Sequence, residues 1–124
     1  MKIAVVCANG KAGKLIVKEA VDRGHDVTAV VRSENQTVAQ HTLAKDLFDL
    51  TSEDLADFDA VVDAFGAWTP ETLSEHSTSL AHLCDILSGT ETRLLVVGGA
   101  GSLYVNPEHT AVVADGPEFP EAFK

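Results

Sequence analysis

Cysteine is scarce in this chain, and the scarcity excludes several classes at once. Cys7 and Cys84 are the two present. Neither has ligand-type neighbours at metal spacing, so neither a disulfide framework nor a metal site is expected. Both read as buried, reduced thiols. Long apolar runs are also missing, since none approaches the ~20 residues of a membrane span. The start lacks a signal-peptide pattern, because the short apolar run after Lys2 passes straight into a glycine turn. A cytoplasmic protein without a membrane partner is therefore expected. Positive charge is the third scarcity. Nine Lys and Arg stand against nineteen Asp and Glu, a net charge of −10. That balance argues against nucleic acid and anionic lipid, and leaves a small molecule as the expected ligand. The shortage is uneven, because six of the nine basic residues lie before Ser33.

What is present begins with the stretch from Lys2 to Arg32. Lys2 to Cys7 is a β-branched apolar run, the signature of a buried strand. Ala8 to Gly13 reads as a turn. From Lys11 the pattern becomes helical: Gly13, Ile16, Val17, Ala20 and Val21 share one face, and Lys11, Lys14, Lys18 and Asp22 the other. Gly24 stands where a helix end favours positive φ. Asp26 to Val31 is a second strand, closed by Arg32. Strand, helix and strand within about 30 residues make a right-handed βαβ unit and a parallel pair.

Such a unit suits a dinucleotide. Backbone N–H groups of the turn and helix N-terminus, from Cys7 through Asn9, Gly10, Lys11, Ala12 and Gly13, form an anion site for a pyrophosphate. Gly10 lets a phosphate approach and Gly13 lets the helix pack closely. The spacing resembles the G-x-x-G-x-x-G variant, with cysteine at the first glycine. A βαβ unit with an empty turn is the plain alternative. Arg32 then bears on the choice of cofactor. NAD-binding units place an acid near the end of the second strand for the ribose 2′-OH, whereas an arginine suits a 2′-phosphate. NADP(H) is thus expected in preference to NAD(H), although a solvated arginine at a strand end is common.

Val5 to Gly13, followed by Gly24 to Arg32, resembles the atypical short-chain dehydrogenase/reductase families. Within them the likeness is to the NAD(P)H-binding proteins described as NADH-flavin reductases, and to biliverdin reductase B. It continues through Lys45 to Leu50, Ala64-Phe65-Gly66 and Val96 to Ser102, and so covers nearly the whole chain. The resemblance implies that Asp46 accepts a hydrogen bond from the adenine amino group and that Leu47 lies against the ring. Asp46 can equally open the turn that follows it.

Further strands are expected at about 42–45, 60–64 and 93–97, the last apolar throughout and hence buried. Thr51 to Asp54 fits a helix-capping pattern for a short helix through Ala56. Thr69-Pro70-Glu71 starts a longer helix, with Leu73, Leu80, Leu83, Cys84 and Leu87 as its apolar stripe and Gly89 as its end. His76 and His82 share no face well and read as surface or edge residues. The expected fold is α/β, a Rossmann-like doubly wound parallel sheet of five strands in the order 3-2-1-4-5, in a single domain of residues 1–124. Ala64, Phe65 and Gly66 then flank the switch point beside the glycine turn. Trp68 lies near the substrate mouth, free to stack on a flat heteroaromatic, or else in the core.

A hydride-transfer enzyme also needs a held acceptor and sometimes a proton donor. In the wider family that donor is the Tyr of a Tyr-x-x-x-Lys pair, helped by a Ser. Ser102 matches the serine position. Tyr104 is the sole tyrosine, but Glu108 stands where the Lys belongs, and Pro107 breaks any helix joining them. A tyrosine without a cation is a poor acid at neutral pH. That departure suits a reductase of flavin or another flat conjugated acceptor, which needs little acid–base help. It suits a non-catalytic NADP(H)-sensing module, or an inactive fragment of a longer reductase, as well. Residues 118–124 resemble the first turn of another helix, so the C-terminal part of the full family fold is expected to be lacking. The fifth strand is then an open sheet edge, which a homodimer could cover.

Overall fold

The computed structural model describes residues 1–66, 74–97, 104–112 and 115. Its order is β1 (Lys2–Val6), α1 (Lys11–Asp22), β2 (Asp26–Val31), β3 (His41–Ala44), a 3-10 turn (Leu47–Asp49), β4 (Ala60–Asp63), α2 (Glu75–Leu87) and β5 (Arg93–Val96). The strands form one parallel sheet in the order β3-β2-β1-β4-β5, as the sequence predicts.

The period of two along a strand divides the core into two layers. Ala4 and Val6 of β1 join Val30, Val61, Leu50, Leu55, Leu83 and Leu87 on the face that α2 covers. Val5 turns the other way and packs with Val17, Ala20, Val27, Ala29 and Val62 under α1. Both faces of β1 are thereby buried, which is why its sequence is continuously apolar. Gly24 and Gly89 close the two helices at φ of 86° and 76°, as expected.

Four expectations need correction. Thr51–Ala56 is a run of turns rather than a helix. The capping geometry exists, since Asp54 accepts from the Thr51 N–H at 3.0 Å, but Asp54 also binds Lys45 Nζ at 2.8 Å and ties the turn to the end of β3. The buried stripe of α2 is Ser79, Leu83 and Leu87, an i, i+4 row, and it leaves Cys84 on the exposed side. Among the described residues strand β5 is the open edge that was expected, and not the buried strand that its apolar run implied: Leu95 is 59 % and Val96 44 % accessible. An apolar run reports the character of a strand but not whether a neighbour lies beyond it. Finally, Cys7 is only partly buried and falls outside β1. The expected start of the longer helix, 69–71, lies outside the described residues.

Candidate nucleotide site at the carboxyl edge of the sheet

The ends of β1, β2, β3 and β4 bring Cys7–Gly13, Arg32, Asp46 and Ala64–Gly66 to one edge of the sheet, the edge where ligands bind in open α/β folds. The turn after β1 is the tightest part. Cys7 adopts φ 61°, its N–H donates to Val30 O at 3.0 Å, and its carbonyl accepts from Gly10 N–H at 3.2 Å. A left-handed residue is where glycine costs least, so the position given to glycine in the resembling motif has the backbone that glycine favours. Burial pushes the Cys7 thiol up to about 11, with Asp63 adding to the rise. That shift favours the neutral thiol at neutral pH.

Gly13 faces this turn. A Cβ there would stand 2.6 Å from Cys7 O and 2.7 Å from Ala8 Cα, so the helix can approach the strand only as glycine. Gly10 caps α1 in extended backbone, with no side-chain cap and no acid in the first turn. The first N–H groups of the helix therefore face outward without a protein partner from a side chain.

Asn9 does not extend freely from the turn. Its amide nitrogen donates to Glu34 O at 2.9 Å and to Ser33 Oγ at 3.4 Å, and its Oδ1 accepts from Gln36 N–H at 2.9 Å. It joins the glycine turn to the loop after β2, which begins with Arg32. The Arg32 side chain is 80 % exposed, with Asp46 Oδ2 at 3.9 Å, a loose contact in water. Asp46 caps the 3-10 turn, accepting from Phe48 N–H at 3.0 Å, so its turn-opening role is realised. Leu47 departs from expectation. It is 4 % exposed and packs in the core, because the 3-10 turn rotates it inward and leaves Phe48 at the surface.

Lys11 and Ala12 are exposed at the start of α1. Ala64 and Phe65 are half-buried and Gly66 is exposed beyond β4. Tyr104 is 58 % exposed; its ring stacks on His109 at 4.4 Å and its backbone bridges Val112. Trp68 and Ser102 lie outside the described residues. Among the described residues, no group of three or more His, Cys, Asp or Glu could hold a metal, and no helix is long and apolar enough to cross a membrane.

Two further residues share a cleft at this edge: Asp63, which sequence reasoning passed over, and His76, which it read as a surface or edge residue. Asp63, the last residue of β4, is buried at 4 % exposure, between Val6 of β1 and Val96 of β5 in the ladder. Its Oδ1 accepts from Phe65 N–H at 3.0 Å. Burial raises its carboxyl above the ordinary range, and the Phe65 N–H and the charge of His76 draw it partly back. Both residues line an open cleft of ≈ 240 Å³ with Phe65, Ser79, Leu80, Val96 and Val97. The signal was present in the sequence: an acid interrupts an otherwise apolar strand.

Relatives agree with this architecture. The Bacillus subtilis protein YwnB is 49 % identical over 126 residues, covering 99 % of this chain and 59 % of its own length. A crystal structure from Streptococcus pneumoniae, described as that of a candidate NADH-flavin reductase, is 59 % identical with a TM-score of 0.94, over 100 % of this chain and 59 % of that one. A short-chain dehydrogenase/reductase superfamily protein from Agrobacterium tumefaciens, solved with NAD bound, shares the fold at 20 % identity and a TM-score of 0.63, over 77 % of this chain and 32 % of that one. The chain thus spans about three fifths of the length of its two more similar relatives. The profile of the NAD(P)H-binding family matches residues 7–116, from the Cys7 turn to beyond the Tyr104–Val112 bridge, and with the sheet order and open helix end this chain belongs to that family.

Proposed function

We propose that the chain binds NADP(H) at the carboxyl edge of its sheet and reduces a flavin, or a similar flat conjugated acceptor, by hydride transfer. The observation that carries the reading is the open start of α1. Its first-turn N–H groups have no side-chain cap and no acid in the first turn, and the exposed Lys11 adds positive charge. These residues fit a pyrophosphate. Arg32, at the end of β2, is exposed enough to leave its loose contact with Asp46 for a 2′-phosphate, which supports NADP(H) over NAD(H). The Streptococcus pneumoniae protein is described as a candidate NADH-flavin reductase, so this preference rests on Arg32 alone.

A bound nicotinamide supplies hydride. The chain's own part is placement. The Cys7–Gly13 turn holds phosphate, Asn9 fixes the following loop, and Gly66 leaves room for backbone approach beside a ribose. Loss of NADPH absorbance in the presence of riboflavin tests the enzyme reading. Steady, protein-dependent loss is expected. Saturable NADPH binding without loss would instead leave an NADP(H)-sensing module.

A further inference from the structure

We propose that Phe48 is the face on which the adenine of the bound nucleotide stacks, taking the role that the resemblance gives to Leu47. The inference rests on the nucleotide-binding part of the reading above and is independent of the flavin chemistry.

The period of the 3-10 turn decides which side chain faces out. Three residues per turn put Leu47 and Leu50 on one side, and both are buried in the layer under α2. Leu47 is therefore not free to meet a ligand. Phe48 is turned outward and is 43 % exposed. A phenyl ring left in water gains by being covered. The turn that presents it is held on both sides. Before it, Lys45 Nζ binds Asp54 at 2.8 Å; after it, His82 Nε2 donates to Leu50 O at 2.8 Å. The His82 ring also meets the Phe48 ring, 6.1 Å between centroids at 49°. Phe48 is thus backed by one ring and placed in advance for another, which lowers the ordering cost of binding.

Its position in the sheet points to the ligand. A nucleotide with its pyrophosphate at the start of α1 and its 2′-phosphate at Arg32 reaches from the end of β1 to the end of β2. The base is carried by the same ribose as the 2′-phosphate, and the next strand outward is β3, a step of about 4.8 Å. The end of β3 leads into Asp46 and the 3-10 turn. Asp46 joins the two residues on either side of it: its Oδ2 stands 3.9 Å from Arg32 Nη1, and its Oδ1 accepts from Phe48 N–H at 3.0 Å. A purine one strand beyond Arg32 therefore lies at Phe48, where an offset or edge-on ring contact is favourable.

The test uses the whole chain and two ligands: NADPH, and adenosine 2′,5′-bisphosphate, which carries the base and the 2′-phosphate without the nicotinamide. Phe48→Ala should weaken binding of both by about 10-fold, within the usual loss on truncating a ring that stacks on a base. Phe48→Tyr, which keeps the aromatic face, should stay within about threefold of wild type. Urea midpoints of both variants should stay near wild type, since the ring is exposed. A readout that a merely structural role does not give is a nuclear Overhauser contact between the Phe48 ring protons and the adenine ring protons in the wild-type complex with either ligand. Phe48→Ala binding both ligands within about twofold of wild type, or a saturated complex without that contact, would overturn the stacking assignment and leave the nucleotide site standing. Folded wild type that binds neither ligand would end both readings together.

Discussion

Single side chains carry three consequences that stability measurements can reach. Cys7 sits at φ 61°, where a Cβ costs about 1–2 kcal/mol. At an ordinary position alanine is more stable than glycine. Here the order should invert, with Cys7→Gly more stable than Cys7→Ala by about 1 kcal/mol in urea unfolding. Gly13→Ala should be damaging, by about 2–3 kcal/mol, because its Cβ would meet backbone atoms 2.6–2.7 Å away that no rotamer change can move. Asp63 gives a dependence on pH. Its carboxyl is raised above the ordinary 3.8 in the folded state. Its contribution is then complete below that value and is lost as pH rises through the folded-state pKa. Asp63→Asn should therefore gain stability relative to wild type as pH rises above the ordinary carboxyl range, and hold the gain once the folded-state carboxyl has ionised. A pH series of urea midpoints checks the sign.

Elements show where sequence patterns succeed and where they stop. The first βαβ unit was legible in detail, because β1, α1 and β2 each have a distinct period and Gly24 marks the joint. Asp46 was legible as a turn opener for the same local reason. The tertiary role of Asn9 was not, since its three partners lie 24 to 27 residues away. Removing it should loosen the loop that begins with Arg32. Asn9→Ala is expected to speed amide exchange at Gln36, whose N–H it accepts, and to weaken NADPH binding about 10-fold, or about 1.4 kcal/mol. In α2 the apolar stripe was placed slightly off phase. Serine reads as polar, yet Ser79 is buried and donates to His76 O at 3.3 Å, whereas Cys84, which reads as apolar, is exposed. The capping signal at Thr51 was real but stopped at turns, since Lys45 holds Asp54 from the side.

At the scale of the whole molecule, the sheet order follows from alternating strands and helices, and from right-handed crossovers. The open edge at β5 followed from the expected strand order and not from the pattern of the run itself. Nothing within Arg93–Val97 distinguishes an outer strand from a central one, and its accessibility emerges only once β4 is paired on one side. Leu95→Lys, at a side chain 59 % exposed, should therefore cost less than about 0.5 kcal/mol in thermal or urea unfolding. Charge has the same character. The overall excess is acidic, but Lys11 and Arg32 stand at the edge offered to phosphate.

The most direct test of that arrangement is a calorimetric titration of the folded chain with NADPH and with NADH, repeated on Arg32→Asp. Saturable binding that favours NADPH by about 10-fold or more, a preference of about 1.4 kcal/mol that disappears or reverses in the variant, is the expected result. No saturable binding of either nucleotide, or equal binding indifferent to Arg32→Asp, would contradict it.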